Sequence, residues 1–147
     1  MDVDRLWFLG VNQFPLSKRR PKIFDGFIRI LCKLVENAVI GDLLLDGSFL
    51  TQEIEPDDLD FTLCVSEEFY LASSGKRRAL LDWIGDDKDI STTHLCDCYL
   101  CVECGTESPM YFDGIQTRLS WTNLYRFSTV VRRERGIGII HLTGQLL

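Results

Sequence analysis

Three aspartates have the type and spacing to do chemistry. Two stand in the run Pro56-Asp57-Asp58-Leu59-Asp60, and the third is Asp97, in His94-Leu95-Cys96-Asp97-Cys98. Side chains at i and i+2 of a strand share a face. Asp58 and Asp60 at the mouth of the apolar strand ending at Val65 would therefore project together, while Leu59 turns into the core. Adjacent carboxylates repel, and a hard divalent cation with oxygen ligands offsets that repulsion. Mg²⁺, or Mn²⁺ in its place, suits such a set where phosphates complete the shell. Asp97 is the acidic residue inside the apolar part of its own run, so it is the candidate third carboxylate, joining the pair from a neighbouring strand. Upstream, Gly47 and Ser48 interrupt the apolar run Leu43-Leu44-Leu45. A glycine lets the backbone approach a phosphate closely, and a serine hydroxyl with nearby N–H groups can bind its oxygens, so Gly47 and Ser48 are the candidate nucleotide-binding pair.

Blander readings compete at each position. Pro-Asp-Asp is ordinary turn chemistry, which would leave Asp57, Asp58 and Asp60 as a solvated turn. Against it, Asp60 begins an otherwise apolar strand, where an unpartnered carboxylate is out of place. Asp46, beside the Gly-Ser pair, reads as a loop cap before it reads as a further ligand. Cys96, Cys98, Cys101 and Cys104 with His94 include two C-x₂-C spacings of the kind found in zinc sites. Alternation along a strand sets Cys96 and Cys98 on one face and Cys101 on the other, which favours reduced, buried thiols over zinc. Lys76-Arg77-Arg78, Arg118, Arg126 and Arg132-Arg133-Arg135 could neutralise a triphosphate, although such runs are more often solvated faces. His94 and His141 are too isolated to act as bases, and Trp121 and Tyr125 read as core.

The elements that must position the aspartates follow from hydrophobic periodicity. Strands are expected over Leu43 to Asp46, Asp60 to Val65 and His94 to Glu103, adjacent in one mixed sheet, with a final strand from Gly136 to Leu142. Ile23, Phe24, Phe27, Ile28, Leu31, Leu34, Val35 and Ala38 recur at spacings of three and four, predicting a helix from Pro21 to Val39 with Gly41 just past its end. Residues 1–20, including Lys18-Arg19-Arg20, read as an extended lead-in. Ser66-Glu67-Glu68 reads as a helix start, followed by a break at Ser73-Ser74-Gly75 and a second helical stretch from Lys76 to Ile84. Gly85 to Asp89 is expected as an acidic loop, Gly105 to Gly114 as a loop, Ile115 to Phe127 as helical, and Arg132 to Arg135 as a charged turn. The fold class implied is α+β, with a small mixed sheet of about three to five strands packed with helices.

A chain of 147 residues, 46% hydrophobic and 26% charged, has the material for one core, so the expectation is a single domain over residues 1–147. No apolar run approaches the roughly 20 residues of a membrane helix, and the start, MDVDRLWFLG, is acidic where a secretory leader is basic. A cytoplasmic protein with six reduced cysteines is expected. The formal net charge of −6 opposes non-specific binding to nucleic acid, so any such contact would need a local basic patch.

The block Asp46-Gly47-Ser48-Phe49, Thr51, Pro56, Asp58-Leu59-Asp60 resembles the signature of the nucleotidyltransferase superfamily, whose minimal fold is polymerase-beta-like. That signature is a Gly-Ser pair, a short spacer and an Asp-x-Asp on the following strand; here nine residues separate Ser48 from Asp58. Together with Trp121-Thr122 through Phe127 and Arg135-Gly136-Ile137-Gly138-Ile139-Ile140, the block most resembles a small uncharacterised bacterial and phage-associated DUF6932-like branch. The resemblance implies a nucleotidyltransferase-like core, a third Asp on the strand beside the Asp-x-Asp in the person of Asp97, and Mg²⁺-dependent transfer of a nucleotidyl group. The donor would be a nucleoside triphosphate and the acceptor a protein or an RNA. Small members of the superfamily are often antitoxins that modify a partner toxin, or toxins that modify RNA, so the resemblance also implies a toxin-antitoxin or phage-defence setting. The alternative is a catalytically silent, antitoxin-like binding partner.

Overall fold

The computed structural model describes residues 2–85, 90–103 and 138–144. Among them a mixed four-stranded sheet, in the order β3-β2-β1-β4, carries helices α1 to α5, a π-helical turn and a 3₁₀ turn. The fold class is α+β, as the alternation of periods in the sequence implies.

The longest element, α2 (Arg19–Glu36), buries Ile23, Phe27, Ile30, Leu31 and Leu34 on one stripe. This is the face expected from the three-four spacing, displaced toward the N-terminus. Ser17 Oγ accepts from Arg20 N–H at 3.0 Å and satisfies one of the first-turn donors. The helix ends at Glu36, and its left-handed closing residue is Ala38 rather than Gly41. Ala38 adopts a left-handed φ of 54°, its N–H donates to Val35 O, and Val39 N–H donates back to Leu34 O, each at 3.0 Å. This is the Schellman closure with alanine where glycine is the usual occupant. Gly41 instead lies inside β1 (Ile40–Asp46), where a Cβ would stand 2.3 Å from Cys64 O on the neighbouring strand.

β1 pairs antiparallel with β2 (Leu59–Ser66) on one side and with β4 (Gly138–Thr143) on the other. Ser66 ends β2 and caps α3 (Glu67–Ala72), its Oγ accepting from Phe69 N–H at 3.1 Å. Then follow α4 (Gly75–Gly85) and α5 (Ile90–His94), and β3 (Cys96–Glu103) returns parallel to β2. A parallel neighbour requires a crossover of this length, because a hairpin cannot return the chain in the same direction.

Two further expectations are corrected. Residues 1–20 are not an extended lead-in: α1 (Val3–Trp7) and a π-helical turn (Phe8–Asn12) fold back over the domain, burying Leu6 completely. The run Leu6-Trp7-Phe8-Leu9 hid this because it is apolar without period. Asp2, which caps α1 by accepting from Arg5 N–H at 2.7 Å, was the signal present in the sequence. The third strand also starts later than His94. His94 closes α5, and Leu95, with a φ of 54°, turns the chain into β3 at Cys96.

The main core lies on one face of the sheet. Leu43, Leu45, Leu59, Phe61, Leu63, Val65, Cys96 and Cys98 pack there with the stripe of α2 and with Leu81 and Ile84 of α4. Phe27 meets Phe61 edge to face at 5.8 Å between ring centroids. The expected acidic loop, loop Gly105 to Gly114, helical stretch Ile115 to Phe127 and charged turn Arg132 to Arg135 lie outside the described residues, apart from Gly85, which ends α4. Among the described residues, no helix is long and apolar enough to cross a membrane.

Candidate carboxylate site

Strand alternation sends every second residue of β1, β2 and β3 to the face opposite the main core. Asp46, Asp60 and Asp97 all fall on that parity, and the register aligns them: Asp46 lies opposite Asp60, and Asp60 lies beside Asp97. The expectation that these three strands are adjacent in one mixed sheet is thus met. Asp58 stands one residue before β2, and its carboxylate converges with the other two. Ligand oxygens from Asp58, Asp60 and Asp97 all lie within 4.8 Å of one another.

The electrostatics bear the mark of this crowding. The Asp58 carboxyl is held above the usual aspartate range by burial first, then by the charges of Asp97 and Asp57, with Arg19 pulling weakly the other way. Asp58, Asp60 and Asp97 could each offer a carboxylate oxygen to a hard divalent cation, whose charge would offset both the burial and the like charges that raise Asp58. Tyr99 O–H donates to Asp97 Oδ2 at 3.1 Å and orients that carboxylate.

Gly47 is required at its place for two reasons. Its φ of 93° is a conformation side chains rarely adopt, and a Cβ there would lie 1.7 Å from Asp60 Oδ2. The Asp60 carboxylate therefore rests directly over the Gly47 backbone, which couples the Gly-Ser turn to the acidic pair. Gly47 N–H donates to Asp46 Oδ1 at 2.6 Å, so Asp46 caps the loop. Ser48, half-buried, opens the 3₁₀ turn Ser48–Leu50, and its carbonyl accepts from Thr51 N–H and Oγ1.

The residues that hold this loop were missed in the sequence. Arg20, completely buried, donates to Gly10 O at 2.9 Å, to Phe49 O at 2.6 Å, to Thr51 O at 2.9 Å and to Glu53 O. Its guanidinium stacks on Phe14 at 3.7 Å from the ring centroid. Burial lowers its pKa, and the charges of Glu53 and Glu55 oppose that effect. Next to it, Arg19 donates from Nε to Pro56 O at 3.0 Å and from Nη2 to Asp57 O at 2.9 Å. Lys18 N–H donates to Glu55 Oε1 at 2.8 Å. The triplet Lys18-Arg19-Arg20 thus clamps the segment between the Gly-Ser pair and Asp58. An Arg pair at the start of an amphipathic helix, one of them on its apolar stripe, was the signal available.

The other candidates sit elsewhere. Arg78 lies over the Tyr70 ring at 3.7 Å and pairs with Asp82 at 3.5 Å, while Arg77 lies over Phe69 at 5.2 Å. These arginines serve contacts between α3 and α4. Cys96 and Cys98 belong to the main core, and Cys101 clusters with Leu44 and Cys64 on the opposite face, so these thiols do not converge. His94 packs against Trp83, and His141 pairs with Asp42 at 2.6 Å. Cys104, Arg118, Trp121, Tyr125, Arg126 and Arg132-Arg133-Arg135 lie outside the described residues.

The model of a family of unknown function, DUF6932, matches residues 3–143, and the chain belongs to that family. No curated protein and no solved structure matches it.

Proposed function

We propose that this DUF6932 protein is a Mg²⁺-dependent nucleotidyltransferase-like enzyme, moving a nucleotidyl group from a nucleoside triphosphate to a protein or RNA acceptor. The observation that carries the reading is the convergence of the Asp58, Asp60 and Asp97 carboxylates within 4.8 Å, beside a Gly-Ser turn whose glycine admits no side chain. Asp58, Asp60 and Asp97 would hold the metal. When bound, it supplies charge neutralisation for the triphosphate and for the pyrophosphate that leaves. The chain's own part is positional. Gly47 lets the Asp60 carboxylate close onto its backbone, Ser48 offers a hydroxyl at the start of a 3₁₀ turn, and the strand register fixes two of the three carboxylates. A toxin-antitoxin or phage-defence setting rests on resemblance alone.

A second reading is a catalytically silent binding partner of the antitoxin-like kind. It is favoured by Arg77 and Arg78, which serve contacts within the domain rather than standing ready for a triphosphate.

Thermal unfolding separates the two. Under the first reading the melting temperature rises when Mg²⁺ or Mn²⁺ and a nucleoside triphosphate are present together, and neither alone suffices, since ligand bound to the native state stabilises by mass action. Asp58→Asn with Asp60→Asn abolishes the rise while the protein stays folded. A melting curve unmoved by every triphosphate with either metal leaves the silent partner. A rise that survives the double substitution places the nucleotide elsewhere.

A further inference from the structure

We infer that Arg19 is the positioning residue of the carboxylate site: its guanidinium fork fixes the one carboxylate that the sheet does not. The inference rests on the metal-holding reading above. Asp60 and Asp97 are ladder residues, locked side by side by the parallel pairing of β2 and β3. Asp58 lies outside that ladder: β2 begins at Leu59, and the chain is held on the C-terminal side of Asp58 by Leu59 N–H, which donates to Leu95 O at 3.1 Å, leaving the N-terminal side to be tied. Everything from residue 51 to Asp58 is irregular backbone. A metal site needs its ligands held to within fractions of an ångström, and a carboxylate at the end of an irregular segment holds its place only if the segment is tied down.

Arg19 supplies that tie at the two peptides immediately before Asp58. Nε and Nη2 take Pro56 O and Asp57 O at 3.0 and 2.9 Å, a forked contact to consecutive carbonyls that sets both the position and the rotation of the entry into Asp58. Arg20, its neighbour, grips the other half of the loop, at Phe49, Thr51 and Glu53. The two differ in kind. Arg20 is wholly buried and stacked between aromatic rings, so its removal threatens the fold. Arg19 is half-exposed, so its removal loosens Asp58 with little loss of burial.

The test is Mn²⁺ binding at fixed pH, read from the electron paramagnetic resonance of the free ion, with urea unfolding run on each variant. Arg19→Gln weakens Mn²⁺ binding about 10-fold to 100-fold, the usual cost of losing an outer-shell partner, at an unfolding midpoint close to wild type. Arg19→Lys, which keeps the charge and loses the fork, falls nearly as far. The decisive variant joins Arg19→Gln to Asp58→Asn. Since Arg19 acts through Asp58, the double variant binds no more weakly than Asp58→Asn alone. Full additivity overturns the inference, as does wild-type affinity in Arg19→Gln or Arg19→Lys. A loss of affinity matched by an equal loss of stability overturns it too, by making Arg19 a part of the fold. A wild-type protein that takes no Mn²⁺ at all sinks the metal-holding reading first, and this inference with it.

Discussion

The two faces of the sheet are made from alternate residues of the same strands, yet they carry opposite burdens. On one, Leu43, Leu45, Leu59, Phe61, Leu63 and Val65 meet α2 and α4 in a continuous apolar core. On the other, Asp46, Asp60 and Asp97 stand in register, with Thr62 buried beside them and a small cluster of Leu44, Cys64 and Cys101 further along. The first face gains from every neighbour it has. The second places like charges directly opposite one another, an arrangement that costs stability in a sheet unless something of opposite sign offsets it. A one-residue period thus separates what folds the chain from what could do chemistry, and substitutions on the two faces should have opposite signatures.

The largest effect is expected on the core face. Phe61→Ala removes a fully buried ring and its edge-to-face contact with Phe27, and should destabilise the protein by about 3–5 kcal/mol in urea unfolding. A smaller cost with no change in the opposite face would mean that the core tolerates a cavity there. Gly47→Ala comes next and joins the two burdens. Its positive φ and the closeness of Asp60 Oδ2 should cost about 1–3 kcal/mol, with a loss of Mn²⁺ binding as Asp60 is pushed aside. Retained Mn²⁺ affinity would show that Asp60 can move without leaving the site.

The smallest effect is the most telling, because its sign is reversed. The Asp58 pKa is raised in the fold, so the folded state disfavours the charged carboxylate relative to the unfolded chain. Stability is therefore lost as pH rises from the ordinary aspartate value through the raised one, and the loss persists at neutral pH. Asp58→Asn should remove that loss and stabilise the metal-free protein at pH 7, its advantage over the wild type vanishing in acid and growing as pH rises through the raised value. Destabilisation by Asp58→Asn would mean that the carboxylate is held by partners that outweigh the crowding.

Much of the site was legible because strand geometry is local. Once Phe61 to Val65 reads as a strand, the alternation of Leu59 and Asp60 follows from the two-residue period, and Asp97 follows in the same way from the cysteines on either side of it. The stripe of α2 was equally plain. The N-terminal helices were not, because Leu6 to Leu9 is apolar at consecutive positions and carries no period to read. The close of α2 was misplaced for a related reason: the left-handed position fell on Ala38, and nothing in the residue type announces it.

The sequence by itself determined which residues alternate, which face of each strand is acidic, and which stripe of α2 is buried, since these depend on backbone periods that any strand or helix obeys. Only the tertiary structure decided that Asp60 and Asp97 are register partners, because parallel pairing across three intervening helices is set by how those helices pack and not by any local rule. The same is true of Arg19 and Arg20. Their carbonyl partners lie 29 to 38 positions away in the chain, apart from Gly10, and a backbone carbonyl has no residue type by which a sequence could point to it.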